Sequence, residues 1–316
     1  MPQPVSKPRI TVPKEFARSI AGFRPGVSDL WVERLPGLVA ECADLWSLRI
    51  GAPCEPLSYN FVTAATRADG REVILKIGVP HRELYTEMEA LRRFDGRGCA
   101  RLLESDRQRG AMLLERLVPG IPLDPAADDE AATRLAAGIM RQLWRPVGPG
   151  HSLFILVRWT SGLAWMREYY DGGTGPLPGW LVERAEGLFR ELHASLDEEL
   201  LLHGDLHHGN ILSAKRQSWL AIDPKGIVGE PVYDAAVFLL SLAPTQLAQP
   251  RPEALLARRA SILAEELGLD RQRLLAWSQA HAVLSAWWCV EDHTDCLEWA
   301  LLRAELMGRV IEPGRP

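Results

Sequence analysis

Hydrophobic spacing changes character several times along the chain. From Pro13 to Ile20 and from Ser28 to Ile50 apolar residues recur at helical intervals, the second run being interrupted or kinked at Pro36. The Pro-rich stretch before them reads as an arm. Tyr59 to Ala65 and Glu72 to Ile77 are β-favouring. Ala68-Asp69-Gly70 between them supplies a turn tolerant of positive φ, so a hairpin ending in Val73-Ile74-Leu75-Lys76-Ile77 is predicted. Glu83 to Phe94 returns to the helical period, with Leu84, Met88, Leu91 and Phe94 on one face. Ala100 to Glu104 and Ala111 to Leu117 are two further strands that close a small α+β unit.

Past Pro119-Gly120 long helical patterns take over, at Asp129 to Trp144, Ser161 to Tyr170 and Leu181 to Ser195, separated by Gly/Pro clusters. Short strands follow near Leu200 to Leu202, Ile211-Leu212 and Trp219 to Ile222, and helices run from there to the end. The change of pattern places a boundary near residue 118. Residues 1–50 form an arm with helices, 51–117 a small unit and 118–316 a larger, mostly helical one. Repeats and low-complexity segments are absent.

A chain of 316 residues with 47% apolar content can bury a core large enough for two lobes. Its 36 Lys+Arg against 41 Asp+Glu leave a formal net charge of -5, which removes general nucleic-acid binding from consideration and suits neutral or cationic partners. The five cysteines are odd in number and scattered, which argues against a secreted disulfide framework. No apolar stretch matches a signal peptide or a membrane span. A soluble cytoplasmic protein, monomer or weak dimer, is expected.

The chemistry concentrates in His203-Gly204-Asp205-Leu206-His207-His208-Gly209-Asn210 and the following Ile222-Asp223-Pro224. Asp205 and Asn210 share one loop between two strand candidates, and Asp223 ends the next strand, so a hairpin brings the three together. Such carboxylate and amide oxygens suit Mg²⁺ completed by phosphate and water. Two zinc readings compete, His203 with His207 and His208, and Cys289 with His293 and Cys296. Adjacent histidines diverge, and the second set lacks another Cys/His pair.

The loop resembles the catalytic and metal-binding segments of protein-kinase-like enzymes, and its His-Gly-Asp form is similar to that of the aminoglycoside phosphotransferases. The resemblance implies an α+β, two-lobed protein-kinase-like fold. Its small N-terminal lobe would have an antiparallel sheet and one main helix, and its larger C-terminal lobe would be mostly helical. It also implies ATP and Mg²⁺ as cofactors. Asp205 would be the base or orienting carboxylate, Asn210 and Asp223 the Mg²⁺ ligands, and His203 the support of the loop. Lys76, paired with Glu87, would meet the α- and β-phosphates. Glu83 and Glu89 compete for that pairing. Ser58 would contact a phosphate from a loop that lacks the usual glycines. Glu115 C=O and Leu117 N–H would bind the adenine edge.

Leu220 to Ala236, Gly96 to Arg116 and the Trp287-Trp288 region are similar to the branch containing streptomycin 6-kinases and hydroxyurea phosphotransferases, over about residues 55 to 300. Asp234, at a helix start, would cap that helix and brace the catalytic loop. If the C-terminal helix runs through His293, then Trp288, Asp292, Asp295 and Trp299 share one face with Glu291 beside them. Trp288, Glu291 and Asp292 would then receive a cationic acceptor. The leading expectation is O-phosphorylation of an aminoglycoside such as streptomycin. The alternatives are hydroxyurea or another small metabolite as acceptor, and an ATP-binding module that has lost its chemistry.

Overall fold

The computed structural model describes residues 12–21 and 27–311, so the Pro-rich arm lies outside it up to residue 11. The chain divides into two compact units. One takes in the residues up to Gly96 with Ala100–Leu117, and the other takes in Arg97–Cys99 with the residues from Val118 onward.

The first unit runs α1 (Lys14–Ala21), α2 (Val27–Trp46), β1 (Leu48–Pro53), β2 (Asn60–Arg67), β3 (Glu72–Gly78), α3 (Arg82–Phe94), β4 (Leu102–Asp106) and β5 (Ala111–Glu115). The strands form an antiparallel five-stranded sheet in the order β1-β2-β3-β5-β4. On central β3, Val73, Leu75 and Ile77 are buried in one cluster with Phe16 and Ile20 of α1 and Trp31, Leu35 and Val39 of α2. The two-residue period of a strand therefore turns Lys76 to the opposite face. The helix drawn to Ile50 stops at Trp46, where Ser47 takes a left-handed φ of 52° and Leu48 and Ile50 pair with Arg67 and Ala65 of β2. Cross-strand pairing overrides the helical spacing of these residues. Pro36 lies inside α2 without breaking it.

The second unit contains β6 (Pro119–Pro122), α4 (Asp129–Leu143), β7 (Arg145–Pro146), β8 (Phe154–Ile155), α5 (Leu156–Trp159), α6 (Gly162–Tyr169), α7 (Gly179–Ala194) and β9 (Leu200–Leu202). It continues with β10 (Ile211–Ala214), β11 (Trp219–Ala221), β12 (Ile227–Gly229), α8 (Val232–Leu239), α9 (Pro244–Leu247), α10 (Pro252–Leu267), α11 (Arg271–Glu291) and α12 (Leu297–Ile311). Two small sheets, β11-β10-β6 and β7-β9-β12-β8, sit among the helices. Strands β6, β7, β8 and β12 span two to four residues, too short to show an alternation in sequence.

Helix α11 does not run through His293. It ends at Glu291, Asp292 is its C-cap, and His293 turns the chain at φ 53°. Thr294 N–H then bonds Cys289 C=O, and Cys296 forms a disulfide with Cys289. The shared face of Trp288, Asp292, Asp295 and Trp299 is therefore not formed, because Trp299 belongs to α12. The same disulfide pairs two of the five scattered cysteines and removes the Cys289–His293–Cys296 metal set. Cys42, Cys54 and Cys99 stand outside that disulfide as thiols. Among the described residues, no helix is long and apolar enough to cross a membrane.

Candidate active site

In the first unit, Lys76 of β3 and Glu87 of α3 meet in an ion pair, Nζ to Oε1 2.7 Å, with the residues only 3% and 7% exposed. Of the competing carboxylates on α3, Glu89 is taken by Arg93, and Glu83 lies in the first turn of the helix. A buried pair of this kind is costly to break from one side, by about 3–5 kcal/mol, because a charge is left without its counterpart. The ammonium is thus fixed in direction. Ser58 lies exposed in the turn between β1 and β2. Glu115 ends β5, opposite Val73, with its N–H donated to Arg101 C=O, and Leu117 is buried just beyond it.

In the second unit, the stretch between β9 and β10 is held from several directions. Gly204 adopts φ +82°, and a Cβ there would stand 2.5 Å from Ile227 Cδ1, so only glycine makes this turn. The turn aims two successive N–H groups at one side chain. His203 N–H donates to Asp234 Oδ2 at 2.9 Å, and Gly204 N–H donates to Oδ1 at 2.7 Å. Trp144 Nε1–H, 90 residues away in sequence, adds a third donor at 3.0 Å. Asp234 does not cap its own helix, whose N-cap is Pro231 without a side-chain bond. Its carboxylate is committed to the loop instead. Burial pushes its pKa up to about 6, against the pull of the three donors. Without it, each buried N–H would lose about 1–3 kcal/mol of satisfaction.

His203 ties the loop to the next strand. Its Nδ1 accepts from Asp205 N–H at 3.2 Å, so the proton resides on Nε2, which donates to Ile222 C=O at 2.8 Å. Burial drives its pKa down to about 3, which keeps the ring neutral. Asn210 Nδ2 donates to Asp205 C=O at 2.9 Å, while Ile222 N–H donates to Asn210 C=O at 2.9 Å. Asp205, Asn210 and the residue before Asp223 are thereby joined in one hydrogen-bonded system. Asp223 itself has a left-handed φ of 57°, a conformation that Asp tolerates better than most residues.

This donor set fits Mg²⁺. The Asn210 amide spends its nitrogen on Asp205 C=O and so presents its oxygen, and Asp223 supplies a half-buried carboxylate. The histidines of the loop do not form a zinc set. His203 is bonded at both nitrogens, His207 Nδ1 accepts from Gly209 N–H, and His208 Nδ1 meets Ser241 Oγ at 2.8 Å.

A cavity of about 260 Å³ opens beside the loop, lined by Asp205, His207, Ser241, His281, Ser285 and Arg303 among others. Apart from the two loop residues, none of these was legible in the sequence, since single Ser, His and Arg residues far apart along the chain carry no spacing signal. Trp288 stands one layer behind the cavity. Its ring lies 5.5 Å from that of His281 and 5.5 Å from that of Trp159. Glu291 and Asp292 sit at the exposed end of α11 and are not in the cavity lining.

The buried histidines set a pH dependence. Burial lowers His203 to about 3, and His208 and His281 to about 4, from an unfolded value of 6.5. Between pH 6.5 and 4 the unfolded chain thus binds up to three more protons at these rings, and stability falls with pH. Asp234 acts oppositely, since its raised pKa makes the folded state bind its proton first, from about pH 6 down. Near pH 5 the difference is about two protons, so stability falls by roughly 3 kcal/mol for each pH unit of acidification. Urea midpoints at pH 7, 6 and 5 should decrease in that order. A flat or rising series would contradict neutral burial of these rings.

Residues 51–293 match the model of the family described as aminoglycoside/hydroxyurea antibiotic resistance kinase. Hydroxyurea phosphotransferase of Kitasatospora aureofaciens is 35% identical over 295 residues, covering 90% of this chain and 81% of that protein. Streptomycin 6-kinase of Streptomyces glaucescens is 31% identical over 299 residues, covering 92% and 94%. Among solved structures, a choline kinase from Streptococcus pneumoniae superposes with a TM-score of 0.62 at 13% identity, covering 88% of this chain and 99% of its own. An aminoglycoside phosphotransferase in a ternary complex with ADP and hygromycin B gives 0.61 at 13% identity, covering 87% and 98%. At that identity the structural likeness speaks for the two-lobed α+β fold alone. The sequence likeness goes further: the chain belongs to the aminoglycoside/hydroxyurea antibiotic resistance kinase family and is an O-phosphotransferase.

Proposed function

We propose that the chain transfers the γ-phosphoryl group of ATP, bound with Mg²⁺, to a hydroxyl of a small molecule. The joining of Asp205, Asn210 and Ile222, the residue before Asp223, into one hydrogen-bonded system carries this reading, because phosphoryl transfer asks a protein chiefly for positioning and charge neutralisation. The Asp205 carboxylate orients the acceptor hydroxyl and takes its proton as the new P–O bond forms and the bond to ADP breaks. Asn210 and Asp223 would hold the Mg²⁺, which would supply charge neutralisation when bound. Lys76, directed by Glu87, meets the α- and β-phosphates, and Ser58 adds a phosphate contact. Glu115 C=O and Leu117 N–H read the adenine edge. His203 and Asp234 act through the loop backbone as positioning residues. The ADP bound to the related aminoglycoside phosphotransferase supports the nucleotide part.

The relatives' names divide the acceptors into polycationic aminoglycosides and compact hydroxyurea. Streptomycin would draw on Trp288, Glu291 and Asp292, and the acidic end of α11 supports that reading. The cavity itself favours the compact class. Asp205 is its one carboxylate, Arg303 adds a positive charge, and its volume of about 260 Å³ suits a small molecule. In an acceptor screen that follows phosphate transfer, hydroxyurea should exceed streptomycin in kcat/KM by about tenfold or more. The reverse order returns the acceptor to the aminoglycosides. No transfer to any acceptor at high enzyme concentration removes the proposed function.

A further inference from the structure

Three arginines elsewhere in the second unit close on carboxylates, Arg167 on Glu186, Arg259 on Asp129 and Arg273 on Glu230. Arg303 of α12 does not. Its Nη2 donates to Leu242 C=O at 3.0 Å, its Nε is buried without a hydrogen-bond partner, and no carboxylate among the described residues pairs with it. A guanidinium offers five N–H donors and keeps its charge in proteins. Leaving one partly desolvated and unpaired is unfavourable unless a ligand completes it.

The position of Arg303 says which ligand. It lines the cavity that Asp205 also lines, together with His207, Ser241, His281 and Ser285. The proposed Mg²⁺ ligands Asn210 and Asp223 are not part of that lining, so the cavity belongs to the acceptor rather than to the donor nucleotide. We propose that Arg303 is a specificity-determining residue whose guanidinium holds a carbonyl or carboxylate oxygen of the acceptor, close to the hydroxyl that Asp205 orients. The inference rests on the phosphotransfer reading and narrows its substrate class to compact hydroxy compounds bearing such an oxygen. In the reaction the hydroxyl oxygen bonds to the γ-phosphorus, ADP leaves with the electrons of the broken P–O bond, and the hydroxyl proton passes to Asp205. Arg303 takes no proton.

The test compares glycolate and hydroxyurea, which carry the oxygen beside the hydroxyl, with ethylene glycol, which does not. In the wild-type enzyme the kcat/KM ratio of either oxygen-bearing acceptor to ethylene glycol should exceed about tenfold. In Arg303→Gln the ratio should collapse to about one. Arg303→Lys should fall between them, because the charge stays but the planar fork is lost. Thermal midpoints check folding, and if the Gln variant does not fold, the Lys variant decides. A wild-type ratio near one, or a ratio unchanged in the variants, overturns the inference. So does a loss of ATP affinity with the ratio retained, which would assign Arg303 to the donor phosphates. Transfer to streptomycin alone overturns it while leaving phosphotransfer standing, and transfer to no acceptor overturns both.

Discussion

Replacing Asp205 by alanine is expected to lower kcat for phosphoryl transfer by about 10²–10⁴-fold, with the urea midpoint and ATP affinity close to wild type. The reason lies in how the residue is divided between backbone and side chain. Its N–H is bonded to His203 Nδ1 and its C=O receives Asn210 Nδ2–H, and an alanine keeps both bonds. The hydrogen-bonded loop therefore survives the substitution, and the loss falls on the half-buried carboxylate that faces the cavity. Single-turnover transfer measured alongside equilibrium ATP binding separates the two effects. Turnover within about tenfold of wild type would take the base out of the mechanism.

Asp223→Asn is the second large effect, a loss on the order of 10³-fold in kcat, because a metal that neutralises phosphate charge contributes several kcal/mol to the transition state. Asparagine is the informative replacement. It accepts the left-handed backbone that Asp223 occupies at φ 57°, so the change removes charge without adding strain. Alanine would add about 1–2 kcal/mol of conformational cost and blur the reading. The Mg²⁺ concentration that half-saturates ATP binding should rise in Asp223→Asn, whereas the urea midpoint should hold. An unchanged Mg²⁺ requirement would mean that the carboxylate does not ligate the metal.

What could be read in sequence depended on how local the signal was. His203 to Asn210 and Asp223 lie within a short span flanked by apolar strands, and the strand-then-helix order of Lys76 and Glu87 limits which carboxylate can reach the lysine. Those features were legible because spacing along the chain nearly determines spacing in the fold. Trp144 was not, since it reaches Asp234 across 90 residues. Arg303, His281 and Ser285 were not either, because they meet only where α11 and α12 pack beside the loop. The helix drawn through His293 failed at a turn closed by Cys289 and Cys296, a pairing that scattered cysteines do not announce. Leu48 to Ile50 failed differently, since their apolar spacing suits a helix but β2 offers them a ladder of hydrogen bonds. In each case a tertiary partner decided the outcome.

The division of labour in the loop also bears on acid behaviour. Asp234 and the neutral His203 position Asp205 through backbone groups, so protonation at either would loosen the loop before it touched the chemistry. Burial holds His203 near 3, far from any working pH, while Asp234 near 6 is the first of the two to change on acidification.

Phosphorus NMR of the wild-type enzyme with ATP, Mg²⁺ and hydroxyurea or streptomycin follows the γ-phosphoryl group itself. ADP and a new phosphorylated-acceptor resonance should appear in equal amounts, both requiring Mg²⁺ and the acceptor and both lost in Asp205→Ala. ATP left intact with every acceptor, or ADP appearing with inorganic phosphate alone, would contradict transfer to an acceptor hydroxyl.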